Sequence, residues 1–189
     1  MIVFPEKMPR RSGTVLRGIA SFCVKLIGWK LDGEIPNESK IILCAAPHTS
    51  NWDFIYAALF ILKYNIKVSI LMKKEAFFWP MAGVWRWLGF VPTDRKAAHG
   101  VVGDAIKLFN NSEECWLVMT PEGTRAKVKR WKSGFLRIAQ RADVPIVLLG
   151  IDYATKTLHF GKVVRAQGDI NQQLEEIVAY FDQFTGKYN

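Results

Sequence analysis

His48 and Asp53 are the residues whose types and spacing most directly suggest chemistry. An apolar run of β type, Ile41 to Ala46, stops at Pro47; the histidine follows, and five residues after it the aspartate opens a second apolar run. On one α-helix, residues five apart lie roughly 140° around the axis and do not face each other. The pair therefore meets only if His48 lies in the turn after a strand and Asp53 in the first turn of a helix capped by Ser50 or Asn51. Asp53 would then also complement the positive end of that helix. Its carboxylate would hold one imidazole nitrogen and leave the other free to take a proton from a substrate hydroxyl. A purely structural His–Asp hydrogen bond is the alternative on these two residues alone.

The elements that must position this pair fit in one domain. A chain of 189 residues can bury a proper core, and a hydrophobic content of 50% with 13% aromatics argues against disorder. The net charge of +9 points to an anionic partner, whether phosphorylated substrate, acidic carrier protein, membrane surface or nucleic acid. Cys23, Cys44 and Cys115 are odd in number, widely spaced and in apolar contexts, which suggests neither a disulfide framework nor a zinc site and fits a reducing compartment. The longest unbroken apolar run, Phe54 to Leu62, has nine residues, short of the roughly 20 needed to span a bilayer. The first residues do not read as a secretory peptide.

Ser12 to Trp29 carries Val15, Leu16, Ile19, Phe22, Cys23, Leu26 and Ile27 at helical spacing and reads as an amphipathic helix. Residues 1–30 hold six Lys or Arg against the single acid Glu6, a bias suited to an anionic membrane surface; packing on the core is the competing reading. Asp32 to Ser39 reads as a turn-rich link, and Lys40 to Ala46 as a buried strand. A helix over Phe54 to Leu62 and strands over Lys67 to Met72, Phe90 to Thr93, Trp116 to Thr120, Val144 to Ile151 and Thr157 to Val164 follow from the apolar pattern. Further helices are expected over Val101 to Asn110, Ser133 to Arg141 and Asn171 to Phe184. Residues 77–90 hold three of the seven tryptophans and read first as core, alternatively as an apolar slot or a membrane interface. The expected architecture is α/β: a single-domain, largely parallel sheet flanked by helices. Ligands gather beyond the carboxyl ends of strands in such sheets, so His48 and the turn at Glu122 could share one site.

That second turn, Pro121-Glu122-Gly123-Thr124-Arg125, has what anion binding needs: a glycine admitting close backbone approach, a hydroxyl and a guanidinium. Arg95 offers a second guanidinium, and Lys127, Lys129, Arg130 and Lys132 form a basic stretch behind the turn. Four blocks then stand in order: His48 to Asp53, Gly89-Phe90-Val91-Pro92-Thr93-Asp94-Arg95, Pro121 to Arg125, and Val144-Pro145-Ile146-Val147. Over roughly residues 40–150 this order resembles the glycerolipid acyltransferase family, and the segment Trp131-Lys132-Ser133-Gly134-Phe135 is similar to its linker before a helix. The chain departs from the family's common pattern at Pro47, where relatives often carry Asn, and at Thr120.

The resemblance implies a glycerolipid acyltransferase-like α/β fold, with residues 1–30 as a membrane-docking helix and 31–189 as the acyltransferase domain. It implies acyl transfer from acyl-CoA or acyl-carrier protein to the hydroxyl of a lysophospholipid-like acceptor, lysophosphatidate foremost, without cofactor or metal, at the cytoplasmic membrane face. His48 would be the general base and Asp53 its orienting partner; Arg95, Glu122, Gly123, Thr124, Arg125 and Lys132 would bind substrate. Backbone N–H groups of the turns are the expected oxyanion donors, each worth roughly 3 to 4 kcal/mol. The chain has no Gly-x-Ser-x-Gly elbow, and an N-cap role accounts for Ser50 without making it a nucleophile. A hydroxyacyl aminolipid acceptor, a thioesterase and a non-catalytic basic module that binds membrane or nucleic acid are the other readings; no helix–turn–helix or single-strand-binding signature supports nucleic acid.

Overall fold

The computed structural model describes residues 4–94, 100–126, 128 and 130–188. Along the chain lie α1 (Val15–Ile27), β1 (Lys30–Gly33), β2 (Lys40–Ala46), α2 (Asn51–Lys63), β3 (Ser69–Lys73), α3 (Met81–Leu88), β4 (Phe90–Thr93), α4 (Gly100–Asn110), β5 (Cys115–Met119), α5 (Gly134–Ala142), β6 (Ile146–Asp152), β7 (Thr157–Val164) and α6 (Ile170–Phe181). The strands form one sheet in the order β1-β7-β6-β2-β5-β3-β4. Neighbours are parallel except β6 and β7, so the edge pair β1 and β7 runs against the other five.

The central strands are apolar on both faces because both are covered. Ile42, Cys44 and Ala46 of β2 pack with Leu117, Ile146 and Leu148 beneath α4, α5 and α6. The alternate residues Ile41, Leu43 and Ala45 face the other way, with Trp116, Val147 and Leu149, beneath α1, α2 and the N-terminal segment. This period of two on each strand builds two cores on one sheet. β2 lies between β5 and β6, parallel to both. The turns that follow these three strands therefore emerge along one edge of the sheet.

Two elements differ from the sequence reading, and a third divides between its two alternatives. The expected link over 32–39 begins inside a strand: β1 pairs Lys30 to Gly33 with Thr157 to Phe160. A polar, exposed edge strand has no apolar alternation to announce it, and Gly33 is its marker. Its φ is +87°, and a Cβ there would lie 1.9 Å from the Phe160 carbonyl oxygen. The aromatic segment 77–90 does not go into the core as a unit. Phe90 is buried, yet no residue of α3 is, and Trp79 is 90% exposed. The reason is location, since α3 packs on β4 at the edge of the sheet. α1 is split as well. Ala20 and Val24 turn inward, whereas Val15, Ile19, Phe22 and Leu26 are each more than half exposed.

Candidate active site

β2 ends at Ala46, and the chain turns through Pro47 and His48 before Ser50 caps α2. The Ser50 side chain accepts from helix N–H groups while Asp53 reaches back to the Ser50 N–H, a reciprocal capping box. This places Asp53 in the first turn, 2% exposed. Its Oδ2 receives His48 Nδ1 at 2.9 Å and the backbone N–H groups of Thr49 and Ser50, each also at 2.9 Å. Its Oδ1 accepts from the Tyr153 hydroxyl. Burial pushes the Asp53 carboxyl upward, but the hydrogen bonds from His48, Tyr153 and Ser50 outweigh it and hold the group below its ordinary value. With Asp53 on Nδ1, the neutral imidazole carries its proton there, and Nε2 is the basic nitrogen.

Glu122 follows β5 and holds the same turn from the other side. Its Oε1 accepts from the His48 backbone N–H at 2.8 Å. The side chain is 8% exposed, and Oε2 is buried with no partner among the described residues. Burial raises this carboxyl, partly offset by the His48 and Glu122 N–H groups. Glu122 is thus a strut for the His48 turn. A third tie comes from the end of the chain: Thr49 Oγ1 accepts from the N–H groups of Lys187 at 2.9 Å and Tyr188 at 3.3 Å.

A cavity of about 530 Å³ runs beneath α2, within the range of small-ligand sites. His48, Asp53, Thr120, Gly123 and Lys132 supply its polar lining. The rest is apolar, including Phe60 of α2, Trp116 of β5 and Ile151 of β6. Gly123 has φ +67°, and a Cβ there would fall 2.6 Å from Lys132 Nζ, so the lysine ammonium rests against bare backbone. Of the residues expected from sequence, the structure brings together His48, Asp53, Glu122, Gly123 and Lys132. Thr124 and Arg125 are exposed and do not line the cavity; Thr124 Oγ1 accepts from the Ala126 N–H at 3.3 Å. Arg95 lies outside the described residues, as do Lys127 and Lys129. The block before Arg95 has a structural task, since buried Thr93 donates to Asp104 on α4 at 2.5 Å.

Ser50 takes the N-cap role. Cys44, raised by burial and then by Glu122, and Cys115, raised by burial, are held as thiols. Sequence reasoning missed Tyr153. The signal available was its position, directly after β6, at the carboxyl end of a strand parallel to β2.

The site of this α/β protein is thus a histidine tethered by a buried carboxylate at the carboxyl edge of a parallel sheet, above an apolar cavity. The acyltransferase family model matches residues 30–152, and the chain belongs to that family. It is 30% identical over 168 residues to a 1-acyl-sn-glycerol-3-phosphate acyltransferase of Streptococcus pneumoniae; the match covers 84% of this chain and 60% of that protein. The fold is similar to the crystal structure of PlsC, the 1-acyl-sn-glycerophosphate acyltransferase of Thermotoga maritima, with a TM-score of 0.60 at 20% identity over 91% of this chain and 80% of that one.

Proposed function

We propose that this chain transfers a fatty acyl group from an acyl thioester, acyl-CoA or acyl-carrier protein, to the hydroxyl of a lysophospholipid-like acceptor, with lysophosphatidate foremost. The observation that carries this reading is the His48–Asp53 pair lining one apolar cavity together with Gly123 and Lys132. Family membership and the similarity to a 1-acyl-sn-glycerol-3-phosphate acyltransferase support the acceptor class.

His48 Nε2 takes the acceptor's hydroxyl proton as that oxygen attacks the thioester carbonyl. The tetrahedral oxyanion is met by backbone N–H groups of the turns. It collapses with loss of the thiolate, and the His48 imidazolium returns the proton to the departing sulfur. Asp53 holds the tautomer and stabilises the imidazolium. Lys132 and the Gly123 turn receive the acceptor phosphate, with Arg125 and Arg95 as further cations, and the acyl chain lies in the cavity beneath α2. Glu122 serves the site through the His48 N–H.

Residues 1–30 dock the protein peripherally on an anionic membrane, and 31–189 form the acyltransferase domain. Val15, Ile19, Phe22 and Leu26 on the outer face of α1, with exposed Arg17, Lys25 and Lys30 beside them, support this. No helix among the described residues is long and apolar enough to cross a membrane. The test is to incubate the purified protein with labelled acyl-CoA or acyl-carrier protein and a panel of lyso-lipids, and to identify the product by mass. Acylated lysophosphatidate supports the proposal. Free fatty acid alone indicates hydrolysis, and no product with either donor sinks the catalytic reading.

A further inference from the structure

Asp53 Oδ2 is engaged three times over, by the His48 ring and two backbone N–H groups. Among the described residues, Oδ1 has one donor, the Tyr153 hydroxyl. The terminal torsion of a carboxylate is soft and two-fold, so donors on one oxygen alone leave its plane free to swing. A donor on each oxygen fixes that plane, and with it the plane of the imidazole bound to Oδ2. The Tyr153 ring is itself held, edge-on to Trp29 with centroids 5.0 Å apart and 6.0 Å from Tyr56 of α2, and its backbone N–H is bonded to Thr185 O at 2.8 Å.

We propose that Tyr153 is a positioning residue of the acyl-transfer site, its hydroxyl locking the Asp53 carboxylate that orients His48. This rests on the reading of His48 as the general base. The hydroxyl also tempers the pair: by sharing the negative charge of Asp53 it limits how far the carboxylate stabilises a charge on the ring bound to Oδ2. Among the described residues, the other titratable groups around the pair include Glu122 after β5 and Lys132 across the cavity, and Tyr56 on α2 faces Tyr153.

The experiment compares the full chain with Tyr153→Phe, which keeps the ring contacts, and with site-specific 3-fluorotyrosine at 153, a near-isosteric and stronger donor. Steady-state acyl transfer is measured across pH, with His48→Ala as control. Tyr153→Phe is expected to lower kcat about tenfold with KM for donor and acceptor within about twofold, and to move the acid limb of kcat/KM upward. 3-Fluorotyrosine is expected to move that limb downward. A ring that serves packing alone would leave both limbs in place. Turnover retained in His48→Ala defeats the base reading itself. If His48→Ala is inactive while Tyr153→Phe keeps wild-type kcat and pH profile, the Tyr153 proposal falls and the base reading stands. If Tyr153→Phe does not fold, the fluorotyrosine protein decides: a downward limb supports the proposal, an unmoved or upward one overturns it.

Discussion

At the scale of single residues, the site consists of one turn held by three partners. Glu122 and Asp53 accept the backbone N–H groups of His48, Thr49 and Ser50, and Thr49 of the turn accepts those of Lys187 and Tyr188 from the end of the chain. Their contributions differ in sign with pH. Asp53 has a depressed folded pKa, so its stabilisation is present above its unfolded value near 3.9 and is lost as pH falls through the folded one. Glu122 is raised, so ionised Glu122 opposes folding above both its values, and protonation favours the folded state. Glu122→Gln keeps an oxygen for the His48 N–H and removes the buried charge. The Tm of this variant minus that of the wild type should fall as pH drops from 7 toward the unfolded glutamate value near 4.3; a thermal melt series measures it, and a signed difference that rises on acidification contradicts the raised carboxyl. Asp53→Asn should remove the charge that sets the His48 tautomer and lower kcat by about 10³- to 10⁴-fold at neutral pH, read in steady-state assays alongside a circular dichroism spectrum. The histidine and aspartate were legible in sequence because their spacing across a strand–turn–helix junction is a local property. Tyr153 was not, since it stands 100 residues from Asp53, and only the parallel pairing of β2 with β6 brings its turn alongside.

At the scale of elements, legibility followed burial. β2, β5 and β6 are apolar on both faces and stand out as runs; β4 and β7 were visible to their ends, and α2 began a few residues earlier than its apolar run because the polar capping box belongs to the helix. β1 was hidden because an exposed edge strand of Lys30, Leu31, Asp32 and Gly33 reads as a link. Its dependence on Gly33 is testable. Gly33→Ala forces a Cβ against the Phe160 carbonyl at positive φ, and a loss of about 2 to 4 kcal/mol in denaturant unfolding is expected. α1 was read correctly as amphipathic, but periodicity does not say which apolar residues turn inward. Val24 packs on the core and Phe22 is 64% exposed. Phe22→Asp should therefore leave stability within about 0.5 kcal/mol while weakening co-sedimentation with vesicles containing anionic lipid. A large drop in Tm would show instead that this face is covered within the protein.

For the whole molecule, the net charge of +9 and the apolar cavity frame a division of labour. Positive charge favours anionic donor, acceptor and membrane alike, so composition alone left the partner open; the order of the blocks narrowed it, and the sheet set the turns at His48 and Glu122 along one edge, whereas Val144 to Val147 opens β6 at the other. The chain spans about 60% of the length of the curated relative it matches, yet the matched family segment, residues 30–152, contains His48, Asp53, Glu122, Gly123 and Lys132. The cavity was not legible, because it arises from residues such as Phe60, Trp116 and Ile151 that are individually ordinary core. The most direct test of the account is single-variant kinetics on the base. Purified His48→Ala and wild-type protein are assayed with acyl thioester and lysophosphatidate, and product is identified by mass. The expected result is phosphatidate from the wild type and a fall in kcat of at least about 10³-fold in the variant, with its Tm retained. Wild-type turnover in a folded His48→Ala protein would contradict the account.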